Sequence, residues 1–266
     1  MRAALVAALV AGLLTAPAAQ AKTEVATAGT IRAEFSYKRH GDKPPTELVQ
    51  RIFDNGQLIV ENRLPDDQFL YPGGFADESS VKAIDLDGTE DGKAEVIFDV
   101  YTGGAHCCLR SDIYKGRSHF TEDWGNVGYR LEDFDGDGRP EFRTADDFFS
   151  GAYTAYAFSQ QPLKVLKYAA TGSVDFTRDE SVRPALRREA ASMKRTYRKR
   201  RDRKGIVSRQ LVISSLAAYA ADQCSLGRCA KGYALIRKAV ARGDVKQFSH
   251  LLRTVRKDLR KLGYDR

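Results

Sequence analysis

DFDGDGRPE, residues 133–141, sets Asp133, Asp135, Asp137 and Glu141 at positions i, i+2, i+4 and i+8, with two glycines between them. Alternate residues of a tight loop can aim their side chains at one point. Glycine lets the backbone turn there without a Cβ in the way. Carboxylates crowded in this manner repel one another until a counterion joins them. A hard cation such as Ca²⁺ takes about six to eight oxygens at roughly 2.3–2.6 Å. The spacing therefore predicts an ion cage built from the side chains of Asp133, Asp135, Asp137 and Glu141, with the carbonyl of Arg139 and water completing the shell. The plainer alternative is an acidic turn, since Asp-Gly is common at hairpin corners. An EF-hand is excluded, because position 12 of such a loop should be glutamate and here it is Thr144.

The pattern occurs twice. KAIDLDGTEDGKAEVIFDVYTGGAHCC (82–108) aligns with YRLEDFDGDGRPEFRTADDFFSGAYTA (129–155). Each has an Asp-rich loop closing on a glutamate, then a strand, then a small-residue corner. The first cage would use Asp85, Asp87, Asp91, the carbonyl of Lys93 and Glu95, and it is looser because Thr89-Glu90 is inserted. The offset from Asp87 to Asp135 is that of a small β-meander or propeller blade.

Strand patterns surround the two loops. TIRAEFSYKR (30–39) alternates, and RIFDNGQLIVE (51–61) carries Asn55-Gly56 between apolar runs, a two-residue hairpin signal. Further strands are expected at 154–159 and 163–168. Pro44, Pro45, Pro65 and Pro72 mark loops. From about residue 179 the period changes to that of a helix. Val182, Leu186, Ala190, Met193 and Tyr197 form one stripe, with Ser181 as its expected cap. Further helices are expected at 206–223, which is apolar nearly all round and so buried, at 230–242, and at 245–262 after Asp244 as cap. The expected fold class is α+β. An antiparallel β-meander or set of partial propeller-like repeats (22–178) precedes a basic helical bundle (179–266).

At the chain start, MR, an apolar run and Ala19-Gln20-Ala21 read as a signal peptide over 1–21. No later segment is long and apolar enough to span a membrane. A secreted protein, extracellular or periplasmic, is expected. Its four cysteines would then form disulfides. Three pairings are possible. Joining Cys224 to Cys229 would staple the turn between the second and third helices and leave Cys107–Cys108 as a vicinal pair. Two bridges joining sheet to helices remain the alternative. His106 beside that pair offers a hydrolase-type acid/base, and Cys107–Cys108 a redox switch. Adjacent strand cysteines point to opposite faces and chelate one metal poorly.

The net charge of +8 is unevenly spread: residues 181–266 hold 24 Lys and Arg against 6 Asp and Glu, while residues 1–180 hold 19 against 29. RTYRKRRDRK (195–204) could meet an anionic polymer or the envelope surface, or the two halves could attract each other. Nucleic acid is not expected, because the chain reads as secreted and the run lacks aromatic interleaving of the sort that stacks bases. No G-x-S-x-G, H-E-x-x-H or P-loop signature is present, so no enzyme activity is expected.

The loops DLDGTEDGKAE and DFDGDGRPE, each leading into a strand, resemble the FG-GAP/VCBS-type repeats of secreted and surface proteins. YTGGAHCC (101–108) is similar to a segment of bacterial secreted proteins of that kind. The resemblance implies β structure and Ca²⁺ at Asp133, Asp135, Asp137 and Glu141, and at Asp85, Asp87, Asp91 and Glu95. It implies no reaction. Two copies fall short of the four to eight blades of a closed propeller, so a shorter meander capped by helices is expected.

Overall fold

The computed structural model describes residues 20–66, 68–73, 79–89, 92–104 and 109–265. The fold is mixed, with three antiparallel sheets followed by four helices. The first sheet is a meander of β1 (Gln20–Ala28), β2 (Ile31–His40), β3 (Lys43–Asp54) and β4 (Gln57–Arg63). Asn55 and Gly56 turn the β3–β4 hairpin at φ 49° and 79°, the conformation that Asn-Gly favours. In the second sheet β5 (Tyr71–Pro72) and β6 (Val81–Ile84) both pair with β7 (Glu95–Tyr101). Then follow β8 (Leu109–Lys115) and β9 (Ser118–Gly125). The third sheet runs β10 (Arg130–Glu132), β11 (Glu141–Ala145), β12 (Leu163–Ala169) and β13 (Gly172–Asp175). The helices are α1 (Arg183–Arg200), α2 (Ile206–Ser225), α3 (Cys229–Arg242) and α4 (Leu251–Lys261). No closed barrel or propeller forms among the described residues.

Strand alternation stacks these sheets. Val96, Phe98 and Val100 of β7 join Phe35, Tyr37, Leu48 and Ile52 of the first sheet in one core. On the opposite face, Ile97, Ile113 and Trp124 join Phe142, Leu166 and Tyr168 of the third sheet. The far side of the third sheet puts Leu163 and Val165 against Val182, Leu186 and Leu226. β7 is covered on both faces, so Val96, Ile97 and Phe98 are apolar in succession, and the strand buries Glu95 and Asp99 as well. The joint between halves has apolar clusters crossed by polar contacts, such as Leu163 N–H to Asp222 at 3.1 Å. An ion pair across it, Arg143 to Glu189 at 2.6 Å, runs opposite in sign to the charge split.

Several expectations are corrected. Residues 154–159 form no strand; Tyr156–Phe158 is a 3₁₀ turn. Its backbone groups are satisfied by α2 side chains, Gln210 accepting from Ala155 N–H at 2.8 Å and Ser214 Oγ donating to Phe158 C=O at 2.8 Å. Asp244 does not cap the last helix, because its carboxylate is taken by Tyr197 Oη at 2.6 Å, and a 3₁₀ turn at Lys246–Phe248 precedes α4. Ser181 does not cap α1 either; its hydroxyl donates to Asp179 at 2.7 Å. Pro44 and Pro45 lie inside β3, at its irregular start where pairing with β2 shifts register. β1 begins at Gln20, two residues before the expected cleavage point, and Gln20 and Ala21 pair with Arg39 and Lys38.

Candidate cation-binding corners

The two Asp-rich loops sit at equivalent places in two sheets, one between β6 and β7, the other between β10 and β11. Their internal hydrogen bonds match. In the first, Gly88 N–H donates to Asp85 at 2.6 Å and Thr89 N–H to Asp87 at 2.9 Å. In the second, Gly136 N–H donates to Asp133 at 2.7 Å and Asp137 N–H to Asp135 at 3.2 Å. Each loop is closed by its buried glutamate: Glu95 accepts from Leu86 N–H at 2.7 Å, and Glu141 from Phe134 N–H at 2.9 Å. The glycines at φ 61° (Gly88) and 75° (Gly136) make the left-handed bend that brings the aspartates round.

The result is two clusters, Asp85, Asp87, Glu95 and Asp133, Asp135, Glu141, each offering carboxylate oxygens within 4.8 Å of one another. Oε1 of Glu95 and Oε1 of Glu141 are buried and accept no aligned hydrogen bond among the described residues. Each is faced by a lysine from the next strand. Lys167 Nζ lies 3.0 Å from Glu141 Oε1, 2.7 Å from Asp135 and 3.3 Å from Asp137. Lys115 Nζ pairs with Asp87, lies 2.5 Å from Thr89 Oγ1 and 3.5 Å from Glu95 Oε1. Pairing explains both placements. Val96 stands opposite Tyr114 and Phe142 opposite Leu166, so one step further each antiparallel ladder sets lysine across from glutamate. Nothing in the sequence around either lysine marks it as a site residue.

Charge perturbations follow this geometry. Asp135 is held below the usual carboxylate range, chiefly by Lys167. The ammonium of Lys167 is pushed up by Asp135 first and by Glu141, against the opposing effect of burial. Burial opposes ionisation of Asp87, but Lys115 and the Thr89 N–H outweigh it and its carboxyl falls. Glu95 goes the other way: burial raises it, and the more distant Lys115 does not compensate.

The remaining expected ligands divide. Asp137 stands outside the tight group; one oxygen accepts from Arg139 N–H at 2.9 Å. The Arg139 guanidinium reaches across to the first loop and donates to Asp87 C=O at 3.0 Å, so the two loops touch. The Lys93 side chain turns away and pairs with Asp54 at 2.6 Å. Asp91, His106, Cys107 and Cys108 lie outside the described residues. Cys224 and Cys229 form a disulfide across the α2–α3 turn, as expected. No helix among the described residues is long and apolar enough to cross a membrane.

The chain is similar to two curated proteins. It is 30% identical over 173 residues to an uncharacterized protein, y4bJ, of Sinorhizobium fredii, covering 62% of this chain and 26% of that protein. It is 29% identical over 151 residues to the probable thylakoid lumen protein sll0997 of Synechocystis, covering 54% of this chain and 43% of that protein. The chain thus spans less than half the length of either relative. No family model and no solved structure matches it.

Proposed function

We propose that this is an exported, calcium-binding β-protein that acts as a binding or structural module at or outside the cell envelope, with Ca²⁺ ordering its acidic corners. One observation carries the reading. Each corner converges three carboxylates within 4.8 Å of one another, one of them a fully buried glutamate whose inner oxygen is met by a cation, the ammonium of the facing lysine. Such a hard, all-oxygen donor set suits Ca²⁺. Asp133, Asp135 and Glu141 would hold the ion in the second corner, and Asp85, Asp87 and Glu95 in the first. The bound ion would supply charge neutralisation and a fixed loop geometry. Export is supported by the signal-like start, by the Cys224–Cys229 disulfide, and by similarity to a protein described as lumenal. The basic face of α1, with Arg198, Lys199 and Arg200 in its last turn, suits an anionic polymer or envelope surface.

The test is calorimetric titration of the protein with Ca²⁺ and, separately, Mg²⁺. The reading expects saturable Ca²⁺ binding, with one site removed by Asp133→Asn/Glu141→Gln and Mg²⁺ weaker. Absence of saturable Ca²⁺ binding at millimolar concentration would overturn it.

A further inference from the structure

We infer that Lys167 is a tethered cation resident in the second corner, and that Ca²⁺ enters that corner only by displacing it. The inference rests on the calcium reading above and concerns how that site is regulated. Lys167 Nζ lies 2.7 and 3.0 Å from Asp135 and Glu141, two of the three carboxylates that would hold the ion, and 3.3 Å from Asp137 beside them, so it crowds the focus an ion would use. An ammonium and a divalent cation cannot share that focus, because like charges a few ångströms apart repel strongly where solvent is partly excluded. The lysine also has somewhere to go. Its Nζ lies 5.0 Å from the ring centroid of Phe176, so an aromatic face that can take an ammonium borders the corner.

The first corner repeats the arrangement. Lys115, one step along the β7–β8 ladder from the pair Val96–Tyr114, meets Asp87 and Glu95 just as Lys167 meets Asp135 and Glu141. Two acidic loops on two different sheets each receive a lysine from the following strand at the same register position. Occupancy by lysine is thus part of the design of the corner. It keeps the carboxylates neutralised when calcium is scarce and sets a threshold for calcium entry, since every ion bound must expel a covalently held competitor.

The experiment compares Ca²⁺ affinity of wild type, Lys167→Met and Lys164→Met, with amine acetylation of wild-type Lys167 followed by mass spectrometry with and without Ca²⁺. Lys164→Met removes the same charge from the same strand without touching the corner. Displacement predicts that Lys167→Met binds Ca²⁺ about tenfold tighter or more, because the apparent Kd rises as the binding-competent fraction falls. It predicts that Lys164→Met stays within about twofold of wild type, and that Ca²⁺ speeds acetylation of Lys167. Equal affinities with unchanged Lys167 acetylation would overturn displacement and leave the calcium reading standing. Binding by Lys167→Met alone would support lysine as the resident cation while overturning calcium binding by the wild-type corner. Absence of binding in all three, with Lys167 acetylation indifferent to Ca²⁺, would overturn both. The acetylation arm reads the wild-type protein, so it decides even if a variant fails to fold.

Discussion

The corners at 85–95 and 133–141 are made alike and tuned differently. Both fold an aspartate pair around a left-handed glycine, both close on a buried glutamate, and both receive a lysine from the next strand. In the second loop the lysine sits 3.0 Å from its glutamate; in the first it sits at 3.5 Å and leans toward Asp87 and Thr89. Glu95, less well compensated, is raised by burial. The inserted Thr89-Glu90 is the sequence change that accompanies this difference. A cross-strand ion pair therefore depends on loop length as well as on register: the strands bring lysine opposite glutamate, and the loop decides how closely the charges meet.

The largest expected effect comes from removing the glutamates. Glu141→Leu should destabilise by about 1–3 kcal/mol, since it orphans the Phe134 N–H, while Lys167 keeps Asp135 and Asp137 but loses its buried partner. Glu95→Leu should cost less, because its lysine is farther away. Denaturant unfolding of both variants measures this, and equal losses would break the distinction between the corners. A second contrast lies in the helical half. Replacing Cys224 and Cys229 by serine frees a bridge of sequence separation 5 and should cost about 2 kcal/mol, while leaving Ca²⁺ affinity unchanged.

Glycine substitutions sharpen the comparison further. A Cβ at Gly88 would lie 2.2 Å from Arg139 Cζ, whereas one at Gly136 meets nothing within 4 Å. Both sites have positive φ, so alanine should cost about 1–2 kcal/mol at each. Gly88→Ala should cost about 1 kcal/mol more, the hydrogen bond from Arg139 to Asp87 C=O. Placing both changes in an Arg139→Ala background should erase that surplus.

Asp222 supplies a buried carboxylate without a lysine. It accepts from Leu163 N–H at 3.1 Å, while its second oxygen is buried and accepts no hydrogen bond among the described residues. Burial raises its carboxyl well above the usual range. A raised carboxylate adds stability that is full below the unfolded value near 3.8 and is lost as pH rises towards the folded value. The contribution of Asp222 to stability should thus fall over that window with a slope of up to about 1.4 kcal/mol per pH unit, set against carboxylates such as Asp135 that are held low and act in the opposite sense. In Asp222→Asn that contribution to the slope should vanish, which unfolding curves across pH would reveal.

Much of this was legible in the chain. Alternating Asp and Gly at 133–138 marked the corner, Asn55-Gly56 the hairpin, and the all-round apolar stretch of α2 its burial. Local pattern failed where backbone groups found distant partners. Residues 154–159 alternate like a strand, yet Gln210 and Ser214 of α2 satisfy their backbone. Asp244 looks like a cap, yet Tyr197 takes its carboxylate. Lys115 and Lys167 could not be read as site residues because nothing near them in sequence is acidic enough to mark a site. Only the register of the ladders brings them there.

The most direct test of the calcium account is thermal unfolding in EGTA and in millimolar Ca²⁺, beside Asp135→Asn. Ligand at 100 times its Kd adds about 2.7 kcal/mol, which for a chain of this size raises Tm by roughly 5–10 °C. The account predicts such a rise in wild type and a smaller one in Asp135→Asn. Superimposable melts in EGTA and Ca²⁺ for both proteins would contradict it and leave the corners as acidic turns closed by lysine alone.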